Sequence, residues 1–119
     1  MSYKKISLEF GNAICYSGYR EGQSPVDQTY PTYQQVVQDL KILEHHWRYL
    51  RIYDCSMHAV IVLEAIRNEG LNFKVMLGAD MMAEVSNPNC PWDADFSEQV
   101  LVNNRRCNSE EIDRMIVLA

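Results

Sequence analysis

The sequence predicts an α/β fold made of three consecutive parallel βα units in a single domain spanning residues 1–119. Three observations predict it. Short apolar or alternating runs recur near 13–17, 49–54 and 73–79. Each run is followed by a segment with apolar residues at helical spacing, giving the order β, α, β, α, β, α. The two long polar connections both follow a strand and precede a helix, which puts them at the C-terminal edge of a parallel sheet, where α/β proteins bind ligands.

The first strand is Ala13-Ile14-Cys15-Tyr16-Ser17, bounded by Gly11-Asn12 and Gly18. Residues 19–29 are polar, with Gly22, Ser24, Pro25 and Asp27, and form the first long loop. A helix is predicted over 33–47. Thr32 and Gln35 stand at capping-box spacing before it, and Val36, Val37, Leu40, Leu43 and Trp47 supply its apolar stripe. Strand 49–54 alternates, with Leu50 and Ile52 on one face and Tyr49, Arg51 and Tyr53 on the other. Ser56 then caps a helix over 57–69 that carries Val60, Leu63, Ala65 and Ile66 and stops at Gly70, which takes the left-handed conformation at little cost. The third strand is 73–79. The prolines and asparagines of Asn87-Pro88-Asn89-Cys90-Pro91-Trp92 mark 81–96 as the second long loop. A last helix is predicted over 97–118, with Ile112, Met115, Ile116 and Ala119 at i, i+3, i+4 and i+7 as its core face.

Composition narrows the function classes. The 119 residues carry 11 Lys+Arg against 16 Asp+Glu, a formal net charge of -5. An acidic chain without a basic cluster lacks the charge that binds nucleic acid or anionic membrane, so neither is an expected partner. Met1 to Glu9 has a basic pair but no apolar signal-peptide segment. The longest apolar run, Ala59 to Leu63, is far below the ~20 residues of a spanning helix, and a cytoplasmic protein is expected. The four cysteines, Cys15, Cys55, Cys90 and Cys107, include no CxxC pair and read as free thiols. No cofactor or metal is expected. Adjacent His45 and His46 point apart on a helix, and Cys55 and His58 straddle a strand end and a helix start. No nucleophile motif or phosphate-binding glycine loop is present.

Right-handed crossovers put the helices on one face of the sheet. The other face would carry Arg51, Tyr53, Lys74, Met76, Gly78 and Asp80. A parallel sheet is covered on both faces, so this face calls for more strands, as in a barrel, or for another chain. Arg51 and Lys74 there call for carboxylate or polar partners on those strands.

The strand ends resemble the successive early-strand signatures of glycoside hydrolase family 17: Cys15-Tyr16, then Arg51-Ile52-Tyr53-Asp54, then Val75-Met76-Leu77-Gly78. The stretches 13–24 and 84–92 are similar in particular to microbial exo-β-1,3-glucanase-like members, and the likeness runs from Gly11 to Ala119. The resemblance implies the N-terminal (βα)3 portion of a TIM (β/α)8 barrel, a fold of ~250 residues. It implies a retaining mechanism with an acid glutamate on strand four and a nucleophilic glutamate on strand seven. Neither strand has a counterpart here, so no catalytic residue carries over and the chain alone is expected to be inactive. What carries over is part of a sugar-binding rim: Tyr16, Tyr53, Asp54 and Asp80 on the strand ends, with Arg20, Glu21 and Trp92 on the long loops.

Two functional readings follow from the resemblance and the uncovered face. The favoured one is the N-terminal part of a β-1,3-glucanase-like hydrolase. The alternative is a stand-alone truncated gene product that self-associates through its open sheet, as a dimer first, and acts as a carbohydrate-binding or structural module. The expected partners are a β-glucan or oligosaccharide and a second copy of the chain. The same residues have plainer readings: Tyr16 and Tyr53 as aromatic fill in the sheet, and Asp54 with Ser56 as a helix start. Asp54 and Asp80 would then bind water or an Arg rather than form an acid/base pair.

Overall fold

Alternation on the middle strand organises the fold. Leu50 and Ile52 are 0% and 2% exposed, whereas Arg51 between them is exposed. A strand with side chains pointing alternately up and down thus has one covered and one open face. The computed structural model describes residues 8–90 and 95–119. Six elements follow in the expected order: β1 (Ala13–Cys15), α1 (Tyr33–Leu43), β2 (Tyr49–Ile52), α2 (Met57–Asn68), β3 (Lys74–Leu77) and α3 (Glu98–Leu118).

The strands form one parallel sheet in the order β1-β2-β3. Its register places Ile14, Leu50 and Val75 in one row facing the helices, and Cys15, Arg51 and Met76 in the next row facing away. Val36 and Leu40 of α1 and Ala59, Val62 and Ala65 of α2 close over Leu50 and Ile52 as one core, with Tyr16 and Leu71 at its ends. Among the described residues the fold class is α/β with three parallel strands and three helices, and the sheet is open.

Local sequence explains the element ends. The Thr32 hydroxyl accepts from the Gln35 N–H (3.3 Å), and the Gln35 side-chain oxygen accepts from the Thr32 N–H (3.0 Å), a capping box that starts α1 where the sequence places it. Helix α1 ends four residues before the expected boundary, at Leu43. Its last carbonyl, Leu43, takes the N–H of both His46 and Trp47, and the chain turns into β2, where the Asn12 carbonyl accepts from Arg48 and Tyr49. Helix α2 closes on Gly70 at φ +63, with the Leu71 N–H donating to Ile66 and the Gly70 N–H to Arg67.

Helix α3 forms as predicted but presents a different face. Its buried residues are Leu101, Asn104, Asn108 and Glu111, while Ile112 and Ile116 are 39% and 67% exposed. The reason lies in the chain leaving β3. β3 is an edge strand among the described residues, so the backbone at 80–84 has no neighbouring strand on that side. The Asn108 amide fills the role, accepting from the Met82 N–H (2.8 Å) and donating to the Met82 carbonyl (2.9 Å). Asn104 donates to the Ala83 carbonyl (2.8 Å). Among the described residues, no helix is long and apolar enough to cross a membrane.

One close approach sets the spacing of the C-terminal edge. A Cβ on Gly78 would lie 2.6 Å from the Ile52 carbonyl oxygen and 3.1 Å from that of Tyr53, both rigid backbone. Gly78→Ala is therefore expected to push β2 and β3 apart and to cost roughly 1–3 kcal/mol, as overpacked sites do. Urea denaturation checks this, and an unchanged midpoint would refute it.

Candidate functional site

The C-terminal edge of the sheet brings together two neighbouring spaces that share Asp54. Asp54 follows β2, and its Oδ1 accepts from both the Ser56 N–H (3.1 Å) and the Ser56 hydroxyl (2.6 Å). This turn ends the strand and leads into α2, so the helix-start reading of Asp54 describes one of its oxygens. The first space is a crevice of about 20 Å³ between Tyr16, Tyr19, Tyr53, Asp54 and His58. It has room for about one water molecule and not for a sugar ring.

The walls of that crevice are held by hydrogen bonds from the loop after β1. His58, 5% exposed, accepts the Gly18 N–H on Nε2 (3.0 Å) and stacks against Tyr19 with centroids 5.1 Å apart. Burial holds its pKa below the ordinary value, against the opposing pull of Asp54, so it is the neutral ring that accepts. Tyr16 is buried and donates its hydroxyl to Asp39 of α1 (2.8 Å). Burial, then the Asp39 carboxylate, push its phenol far up. The Tyr19 hydroxyl is buried without a hydrogen-bond partner among the described residues, and burial and then the Asp54 charge raise its pKa.

The second space is a groove of about 520 Å³ with Asp54 and Asp80 on its walls, together with Tyr30, Met82, Glu111 and Arg114. Glu111, 5% exposed, is its anchor. One carboxylate oxygen accepts the N–H of Cys55 (2.8 Å) and of Asp80 (3.1 Å), and the other pairs with Arg114 (2.7 Å). Burial would raise its pKa, but the Arg114 guanidinium and the two N–H groups reverse this and leave it lowered. Glu111 thereby ties the start of α2 and the exit of β3 to one helix, fixing the backbone that carries both aspartates.

The expected rim residues divide accordingly. Asp54 and Asp80 open into the same groove. Tyr53, 49% exposed, sits by the crevice with its ring under the Arg51 guanidinium, 5.2 Å away. Tyr16 is committed to Asp39 inside the core. Arg20 turns to the same carboxylate (2.8 Å) and to the Gln35 carbonyl, lashing the first loop to α1. That loop is itself a small hairpin, with Ser24 and Thr29 exchanging both backbone hydrogen bonds at 3.0 Å. Glu21 is exposed at its tip. Trp92 lies outside the described residues. Sequence reasoning missed Tyr30, Glu111 and Arg114. The available signal was the polar series Asn104, Asn108, Glu111 at helical spacing, which marks a face as clearly as an apolar series does. Among the described residues, no three His, Cys, Asp or Glu side chains converge as metal ligands.

Two titrations follow from these contacts. The folded chain keeps His58 neutral, while the unfolded chain binds a proton as pH falls through about 6.5, so stability is lost from there downward. His58→Gln retains an acceptor for Gly18 and should flatten this limb in pH-dependent thermal melts. Glu111 has the lowered-carboxylate sign: its contribution is full above about 4.5 and is lost as pH falls through its native value. Glu111→Leu should cost roughly 1–3 kcal/mol for each of the two N–H groups it orphans, read in urea at pH 7.

No protein-family model, curated protein or solved structure matches the chain, so the chemistry of this edge rests on its own geometry.

Proposed function

We propose that this chain is the first three βα units of a family 17-type β-1,3-glucanase barrel and supplies part of a glucan-binding edge without the hydrolytic glutamates. The supporting observation is the groove of about 520 Å³ at the C-terminal edge, where Asp54 and Asp80 from adjacent strand ends open together. Carboxylates at such positions accept from sugar hydroxyls, and the half-buried Tyr30 ring on the groove wall suits packing against a pyranose ring. The family assignment itself rests on the three strand-end motifs.

A second reading, self-association of a stand-alone carbohydrate-binding module, is favoured by the open sheet face. That face and the segment before β1 form an apolar trough of about 700 Å³, with Phe10 and Met76 exposed on it. A long uncovered sheet face of this kind is a template for pairing. Sedimentation should then show a dimer, and a monomer at high concentration would remove this reading.

Laminarihexaose titrated calorimetrically is expected to bind, and cellohexaose to bind more weakly. Asp54→Asn keeps an oxygen for Ser56 and should weaken laminarihexaose binding roughly tenfold, the loss of a charge-assisted hydrogen bond. Wild-type protein that binds neither sugar, or a variant that binds unchanged, would overturn the proposal. Release of reducing sugar from β-1,3-glucan by the purified 119-residue chain would overturn its statement on catalysis.

A further inference from the structure

One buried titratable side chain fastens the first loop to the sheet edge. His58, on the first turn of α2, is 5% exposed, and its Nε2 accepts the Gly18 N–H at 3.0 Å. A ring nitrogen that accepts carries no proton, so this bond belongs to the neutral ring alone. Gly18 passes so close to Tyr16 that even a Cβ there would meet the Tyr16 hydroxyl and ring, which leaves its backbone no other way to turn inward. The groups facing the imidazole are Tyr16 after β1 (centroids 5.5 Å apart), Tyr19 of the loop (5.1 Å), and Tyr53 and Asp54 after β2. Asp39 of α1 stands behind Tyr16, accepting its hydroxyl and paired with Arg20 (2.8 Å), and Tyr30 stands behind Tyr19 (6.3 Å). Asp54 is the carboxylate that lines the crevice with the ring; its Oδ1 serves Ser56, which leaves Oδ2 to receive a further donor.

We propose that His58 is a pH-sensitive latch on the first loop. When Nε2 takes a proton from solvent, the imidazolium N–H and the Gly18 N–H are two donors aimed at each other. The ring gives up Gly18 and donates to the Asp54 carboxylate, and residues 17–19 swing away from the sheet edge. The motion is local, because Arg20 on Asp39 (2.8 Å) and Gln23 on Gln35 (2.9 Å) do not involve His58 and keep the hairpin at 24–29 on α1. The Tyr19 hydroxyl, buried without a partner among the described residues, gains hydrogen bonds to water as it leaves, so nothing polar is lost there. Burial disfavours the charged ring, so the latch opens below the ordinary histidine value of 6.5. Opening widens the crevice, which shares Asp54 with the groove, and the imidazolium neutralises one of the two aspartates on that groove's walls. A fall in pH thereby alters the groove's charge, whatever the groove binds.

The test is an NMR titration of the full 119-residue chain without sugar, from about pH 7.5 down to about 4.5, a range that brackets histidine titration. It follows the His58 ring nitrogens, the amides of residues 17–19, and the amides of Val36, Leu40 and Ile52 as reporters of the core. The Gly18 and Tyr19 amides should shift with the His58 midpoint, below 6.5, while the core amides hold still. Gly18 amide exchange, corrected for its intrinsic pH dependence, should quicken on the order of tenfold across that midpoint, the loss of one hydrogen bond. His58→Gln keeps an acceptor and should abolish the pH response of Gly18. Asp54→Asn keeps an oxygen for Ser56 and removes the carboxylate that favours the cation, so it should move the His58 midpoint to lower pH; this reading does not require that His58→Gln fold. A His58 that titrates while Gly18 stays fixed overturns the latch. So does a ring that stays neutral until the core unfolds, a Gly18 transition that persists in His58→Gln, or an unmoved midpoint in Asp54→Asn.

Discussion

The structure depends on one-sided burial of its central strand. Leu50 and Ile52 are sealed under α1 and α2, while Arg51 between them faces the opposite way, over the Tyr53 ring. A parallel sheet gains its stability from covering both faces. Here all the packing is spent on one. The uncovered face follows from this, and with it the trough that begins at Phe10 and the exposure of Cys15 and Met76. Arg51 on this face lies over the Tyr53 ring, 5.2 Å from its centroid.

The edge strand poses the companion problem, and α3 answers it with polar side chains. Backbone N–H and carbonyl groups leaving β3 need partners, and amide and carboxylate side chains of α3 supply them where a neighbouring strand otherwise would. Asn108 does this for Met82, Asn104 for Ala83, and Glu111 for Asp80 while also holding Cys55. This use of α3 leaves its apolar residues Ile112, Ile116 and Val117 at the surface. It also makes the groove a product of the same contacts that stabilise the fold, since the residues fixing Asp54 and Asp80 are those that satisfy the backbone around them.

The legible part of the fold was the part governed by local rules. Alternation marked β2, the Thr32–Gln35 pair marked the start of α1, and Gly70 marked the end of α2, because each is a short-range device whose energetics sit within a few residues. The Trp47 end of α1 misled because the chain turns at 44–46, so that Trp47, at helical spacing in sequence, is half-buried beyond the helix end. The face of α3 was not legible because periodicity was sought in apolar residues, whereas the unmet need was for hydrogen bonds at 80–84. For the site, residue type at the strand ends picked out Asp54 and Asp80. The commitment of Tyr16 and Arg20 to Asp39 depends on where α1 crosses the first loop, which is tertiary information.

The carbohydrate-binding role proposed for the C-terminal edge of this open sheet is tested by a backbone amide chemical-shift map during titration with laminarihexaose. Shifts are expected to cluster at residues 53–57 and 80–84, with residues 11–13 and 72–74 at the opposite edge unmoved. Shifts confined to that opposite edge or to the trough, or no shifts at saturating sugar, would contradict it.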